Sequence, residues 1–286
     1  MSEDVVLATQ ETHAARRGWP VLRSGSWLPA LLILIALAIV WELAKGAFGI
    51  SDQKLPHLSA IAGVFFERPQ GDDGPLRAVG MLGSAVTTLG EAILGFMLGG
   101  VLGCGLAMAF ASSRLLERSL LPYVVGSQTV PILANAPMVV VGLGQLNAPD
   151  WLAKAVVAAY LTFFPVTIGM LRGLRSTPPD ALDLMRSYAA SPGQVFLKLR
   201  LPAALPYLFT SLKIAATASV IGALVAELPA GSHSGIGVEI IKAAQFYNAS
   251  PPLLYAIVVV AGAIGLLFYG AVALAERLLV RTQKAN

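Results

Sequence analysis

The sequence predicts an all-α protein that crosses a membrane about six times, and three observations carry that prediction. Of 286 residues, 56% are hydrophobic and only 13% charged, with a mean hydropathy of +0.72, a balance outside the range of water-soluble domains. Six nearly charge-free runs are each long enough to cross roughly 30 Å of hydrocarbon as a helix of about 20 residues. The basic residues fall unevenly on the two sides of those runs, which sets an orientation.

Taken in order, residues 1–26 contain acids, Arg16-Arg17 and Trp19-Pro20, with no small-residue cleavage site after a short apolar core. They read as a cytoplasmic tail, and the first run, 27–45, as an uncleaved anchor. Residues 46–85 are punctuated by Pro56, Pro69, Pro75 and Gly71-Asp72-Asp73-Gly74, with "LSAIAGVFFE" between them as one amphipathic helix on the outer surface. A core of five further spans is expected over 86–280. Its runs are 87–110, interrupted by Glu91, then 120–143, 151–171, 203–225 with Lys213 inside, and 252–275. Residues 281–286 form a second cytoplasmic tail. In the second run Gly95, Gly99 and Gly103 recur every fourth residue, a small-residue ridge suited to close helix packing.

With the amino terminus inside, the inner side carries Arg16, Arg17, Arg23, Arg114, Arg118, Arg172, Arg175, Arg186, Lys198, Arg200, Arg277, Arg281 and Lys284. The outer side carries Lys45, Lys54, Arg68, Arg77, Lys154 and Lys242. That excess places both termini in the cytoplasm. It also accounts for the net charge of +4 and pI near 9.3 without a nucleic-acid partner.

The longest inner loop, 176–202, is built rather than slack. Pro178-Pro179 break the chain after the fourth span; "DALDLMRSYAA" then puts Leu182, Met185 and Ala189 on one helical face, with Asp183 and Arg186 spaced to pair. Ser191-Pro192-Gly193-Gln194 is a second start signal, with a serine cap, proline at the first helical position and glutamine three residues after the cap. Pro202 should end or bend this second helix. Such a loop serves either to lie on anionic lipid or to dock a cytoplasmic partner.

Several polar residues sit in apolar surroundings. Gln128, Thr129 and Asn135, the last between Pro131 and Pro137, either border a solute path or make helix–helix hydrogen bonds. Glu91 and Glu227 are two more candidates for the path, or else pair with Lys213 or cap a helix. Cys104 is the only cysteine and reads as a small buried hydrophobe. His13, His57 and His233 group with nothing that would make a metal or nucleophilic site, so no metal, cofactor or catalytic residue is expected on this chain.

"DLMRSYAASPGQVFLKLRLPAALP" resembles the EAA loop of bacterial ABC importer permeases. Aligned on Leu201-Pro202, the family's Glu falls on Asp183, its alanines on Leu184 and Met185, and its glycine on Ala189. Ala190-Ser191 and the run Pro202 to Pro206 match common family continuations. "SQTVPILANAPMVVVGLG" and "VAELPAGSHSGIG" are similar to segments of the nitrate, sulfonate and taurine type. Glu91, where sulfonate-type members often have arginine, points to the branch for pyrimidine-like precursors.

The resemblance implies a type I ABC importer permease fold with a cytoplasmic coupling helix, in the bacterial inner membrane. It implies a homodimer, two ATPase subunits holding ATP and Mg, and a periplasmic or lipid-anchored binding protein received partly by residues 46–85. It puts Asp183, Arg186, Ser187, Tyr188, Ala189, Ala190 and Ser191 at the ATPase. The chain has no G-x-x-x-x-G-K-[ST] phosphate loop of its own, in keeping with an energy source on another subunit. A secondary transporter would call for a coupling-ion site and related halves, neither of which the sequence offers; a lipid-bound membrane protein without an ATPase is the other alternative.

Overall fold

A computed structural model describes residues 28–68, 74–229 and 232–281; both tails and part of the Gly71–Gly74 run lie outside them. The described residues are helical with no strand. Five helices are long and apolar enough to cross a membrane, and a sixth span is added if one sharply bent pair crosses together. The chain divides into two compact units, Met1–Leu58 and Ser59–Asn286.

In the first unit, α1 (Leu28–Phe48) buries a single described residue, Lys45. Its ammonium donates to Asp52 Oδ1 and to the Leu55 carbonyl, both at 2.5 Å, while Trp41 Nε1 donates to the Pro56 carbonyl at 3.0 Å. Glu42 accepts from the Leu58 N–H at 2.7 Å and meets His57 at 2.8 Å. The loop after α1 is thus tied back onto the last turns of that helix. The hydrogen bond from Lys45 holds the Asp52 carboxyl below the usual carboxylate range.

The second unit begins with α2 (Leu58–Val64), whose Ile61 and Val64 are buried against protein. A helix thus occupies the first part of the "LSAIAGVFFE" stretch, with Ile61 and Val64 covered by protein and Phe66 beyond it exposed. α3 (Arg77–Ser112) starts well before residue 87, because Met81, Ala85 and Thr88 continue its buried stripe outward.

The helix α6 (Asp150–Arg175) lies between α3 and α9 (Leu201–Glu227), and glycine lets all three approach closely. A Cβ at Gly95, Gly99 or Gly103 of α3 would lie 2.3–2.7 Å from atoms of Ala158, Ala159 and Phe163 on α6. One at Gly222 of α9 would lie 2.6 Å from Ala158 Cα. The ridge read from the sequence thus packs within the protomer.

The third expected span is two helices, α4 (Arg114–Ser127) and α5 (Ile132–Gln145), meeting at 95°. Pro131 has no N–H to give and disfavours helix at Val130. The Tyr160 hydroxyl donates to the Ser127 carbonyl and fixes the break against α6. After α9 come α10 (Ile236–Gln245) and α11 (Pro251–Arg281). Phe268 of α11 meets Phe96 of α3 edge-on at 5.1 Å, and Lys213 of α9 pairs with Glu276 of α11 at 2.7 Å. Lys213 is therefore the partner of neither Glu91 nor Glu227; both acids lie at the opposite end of the bundle.

Candidate functional site: a capped elbow at one end of the bundle and a polar knot at the other

The elbow between α6 and α9 starts with α7 (Pro179–Ser187), which has proline at its amino end and Asp183 paired with Arg186 at 2.8 Å. It ends in a Schellman turn. Tyr188 is the C-cap, the Ala189 N–H donates to the Arg186 carbonyl at 2.9 Å, and the Ala190 N–H to the Met185 carbonyl at 3.0 Å. This turn needs a left-handed residue after the cap, and Ala189 supplies it at φ +51°. Gly reaches positive φ without cost and Ala does not, so the glycine that the resemblance aligns with Ala189 would suit this turn.

The second arm opens with α8 (Pro192–Val195). The Gln194 N–H donates to Ser191 Oγ at 3.4 Å, and the Ser191 N–H to Gln194 Oε1 at 2.9 Å, a reciprocal capping box. Pro202 does not end the second arm, the first of the two outcomes the sequence allows for it. A π turn over Phe196–Arg200 carries the helix into α9 without a break, with the Leu201 N–H reaching back to the Phe196 carbonyl. The wide turn gives room for a proline ring that would clash in a regular α-helix. No residue of α7 or α8 is buried, and Leu184 and Tyr188 are largely exposed.

At the far end, Glu91 and Glu227 join a polar knot. Lys154, fully buried, pairs with Glu91 at 3.0 Å and Asp150 at 2.8 Å, and donates to the Ser234 carbonyl at 3.2 Å. Glu227 accepts from the Thr88 hydroxyl at 2.7 Å and from the Gly237 N–H at 2.5 Å, while the Ile236 N–H donates to Thr88 Oγ1 at 2.9 Å. Glu227 and Thr88 thus cap the start of α10, where exposed N–H groups favour a carboxylate. Gly235, at φ +119°, leaves the space this carboxylate fills, for a Cβ there would lie 2.2 Å from its atoms.

Of these groups Glu91 and Lys154 form a buried ion pair, with Glu91 Oε2 left without a hydrogen-bond partner among the described residues, and removing one partner of a buried pair typically costs about 3–5 kcal/mol. Both acids therefore sit inside the packed protomer as fasteners. The pairing of Glu91 with Lys154 joins residues far apart in sequence, and the sequence reading did not connect them.

Gln128 and Thr129 lie at the α4–α5 break, where Thr129 donates to the Gly126 carbonyl at 2.7 Å and Gln128 to Ser127 Oγ at 3.3 Å. Asn135 is half-buried, and its side chain makes no hydrogen bond to a described residue. Its neighbour Ala136 is buried with Val157 and Ala226. The structure groups these three polar residues around one bend, apart from Glu91 and Glu227.

Residues 95–281 match the family described as binding-protein-dependent transport system inner membrane component. The chain belongs to that family. Its members are permease subunits of ABC transporters, membrane components that are not themselves enzymes. A "Probable ABC transporter permease protein" of Haemophilus influenzae is 34% identical over 76% of this chain and 82% of its own length. The formylaminopyrimidine transport permease protein ThiX of Halalkalibacterium halodurans is 28% identical over 92% and 98% respectively. A protein of Bacillus subtilis named for aliphatic sulfonate transport is 28% identical over 98% and 97%. Among solved structures, the MetNI methionine ABC transporter aligns with a TM-score of 0.51 at 20% identity, over 70% of this chain and 94% of that one, a likeness of fold. This permease is thus a multi-pass, helical subunit of an importer.

Proposed function

We propose that this permease passes a small polar or anionic solute, nitrate-, sulfonate- or taurine-like or else pyrimidine-like, inward across the bacterial inner membrane, driven by ATP and Mg on a separate pair of ATPase subunits. The elbow Pro179–Arg200 is its coupling element. Arg186, Ser187, Tyr188, Ala189, Ala190 and Ser191 seat in the ATPase, with Asp183 holding Arg186 in place. Gln128, Thr129 and Asn135 border the path, a second copy of the chain forms its other wall, and a binding protein delivers solute at the knot end. Both termini face the cytoplasm.

The observation that carries this reading is an elbow with no buried residue over Pro179–Arg200 that is nonetheless locked at both arms by caps. Shifting a two-state transporter from one facing to the other takes about 5.5 kcal/mol of differential interaction. A loop held by a Schellman turn and a capping box can transmit a bias of that order, whereas a flexible tether would dissipate it.

The test uses vesicles reconstituted with the permease and its ATPase subunits, with the binding protein and solute supplied on the knot side. In a Cys104→Ser background, a Tyr188→Cys crosslinker should capture the ATPase, and uptake should require Mg-ATP. Capture of no ATPase, or uptake undiminished without ATP, rejects the reading.

A further inference from the structure

Beside the elbow lies a cleft of about 490 Å³, within the range of about 300–1,000 Å³ usual for ligand sites. It is walled by the start of α4, the end of α6 and both arms of the elbow. Four guanidinium groups line it, those of Arg114, Arg118, Arg175 and Arg200, against one carboxylate, Glu117. That carboxylate is already engaged, since both of its oxygens accept from Arg175, Oε1 at 2.6 Å from Nη1. The side chains of Arg114, Arg118 and Arg200 form no ion pair or hydrogen bond with a described residue.

A second observation points inward. Thr177 lines the same cleft, is only 8% exposed, and its hydroxyl is shielded from solvent with no hydrogen-bond partner among the described residues. Buried hydroxyls are normally satisfied. A ligand oxygen in the cleft would satisfy this one, and arginine forks match the oxygens of a phosphate two at a time.

The cleft continues into a groove of about 620 Å³ on α4, sharing Glu117 and Arg118 with it and lined further on by Leu121, Pro122, Val125 and Gly126. A polar, basic cleft opening into an apolar groove on a membrane helix has the layout of a lipid: charged head, then chain. Free phosphate would use the cleft and leave the groove empty. Basic pockets between spans on the cytoplasmic side are suited to anionic headgroups.

We infer that this cleft binds the phosphate of an anionic phospholipid, its acyl chain lying along α4, and that the lipid ties the elbow to the bundle by bridging Arg114 and Arg118 to Arg200. Its placement in the inner leaflet rests on the proposed cytoplasmic position of the elbow.

The assembled permease–ATPase complex, purified without nucleotide, is titrated with phosphatidylglycerol or phosphatidylcholine, and retained lipid is read by native mass spectrometry. Phosphatidylglycerol should be retained preferentially. The Arg118→Gln/Arg200→Gln pair should lose at least about tenfold in apparent affinity, and Thr177→Val about threefold with no change of charge. Arg172→Gln, an exposed arginine on the same end but outside the cleft, should lose nothing, and Arg118→Lys/Arg200→Lys should restore part of the binding. Equal retention of the two lipids, or an equal loss in Arg172→Gln, overturns the inference.

Displacement of the lipid by millimolar inorganic phosphate, with no lipid preference left, would make the free ion the ligand and also overturn it. So would binding to the permease alone that vanishes in the complex, which would assign the cleft to the ATPase. Because the assay needs no transport, lipid retention without ATP-driven uptake would sink the proposed function and leave this site standing.

Discussion

At the scale of single residues, Ala189 carries the most information. A non-glycine residue in the left-handed region costs about 1–2 kcal/mol, and at φ +51° Ala189 bears that cost to close the Schellman turn. Glycine there would relieve it, although glycine's greater freedom in the unfolded chain takes back about 0.5–1 kcal/mol. Ala189→Gly should therefore slow amide exchange at Ala189 and Ala190 by a factor of about two to five, and Ala189→Val, branched at Cβ, should speed it. Faster exchange in the glycine variant would mean that the turn is held by something other than its own backbone. The position was visible in the sequence as the site of a motif glycine; the reason glycine belongs there was not, because φ is set by the turn that α7 makes and not by the residue's neighbours in the chain.

At the scale of elements, α6 is the axle of the second unit, and its closeness to α3 depends on the absence of side chains at Gly95, Gly99 and Gly103. A Cβ at Gly99 would lie 2.5 Å from the Ala159 carbonyl oxygen and 2.6 Å from Thr162 Cβ, so the helices must part to admit one. Gly99→Val should lower the melting temperature of the purified permease by an amount fitting about 1–3 kcal/mol of overpacking. Gly100→Val, on the open face where a Cβ meets nothing within 4 Å, should change it far less; equal effects would show that helix propensity and not packing is responsible. The ridge was legible because its period is local. So were the spans, as long apolar runs, and the Ser191–Gln194 capping box, as a four-residue pattern. What escaped was mainly non-local, the Glu91–Lys154 and Lys213–Glu276 pairs; the π turn before Pro202 is local but has no residue signature of its own.

At the scale of the whole second unit, the 95° bend between α4 and α5 raises the question whether the run read as one span, 120–143, crosses once or dips in and returns, and packing bears on it. Helix α4 starts at the elbow end, where Glu117 is bonded to Arg175 at the close of α6, and its Leu121 and Val124 pack on the cluster of Phe110, Met170, Leu174 and Ala204. Helix α5 leads the other way: Ala136 is buried with Val157 and Ala226, near the start of α6 and the end of α9, and a short turn after Gln145 enters α6 on the knot side. Each helix has 14 residues, so each is about 21 Å long, and two such lengths joined at 95° separate their ends by about 30 Å, the thickness of the hydrocarbon. The bent pair is thus long enough from end to end to serve as one span. In vesicles of known sidedness, a membrane-impermeant maleimide should reach Ser112→Cys and Ser187→Cys from one face and Gln145→Cys from the other, all in a Cys104→Ser background. Labelling of Ser112→Cys and Gln145→Cys from the same face would make the pair re-entrant, and the elbow would then lie across the membrane from the end of α3.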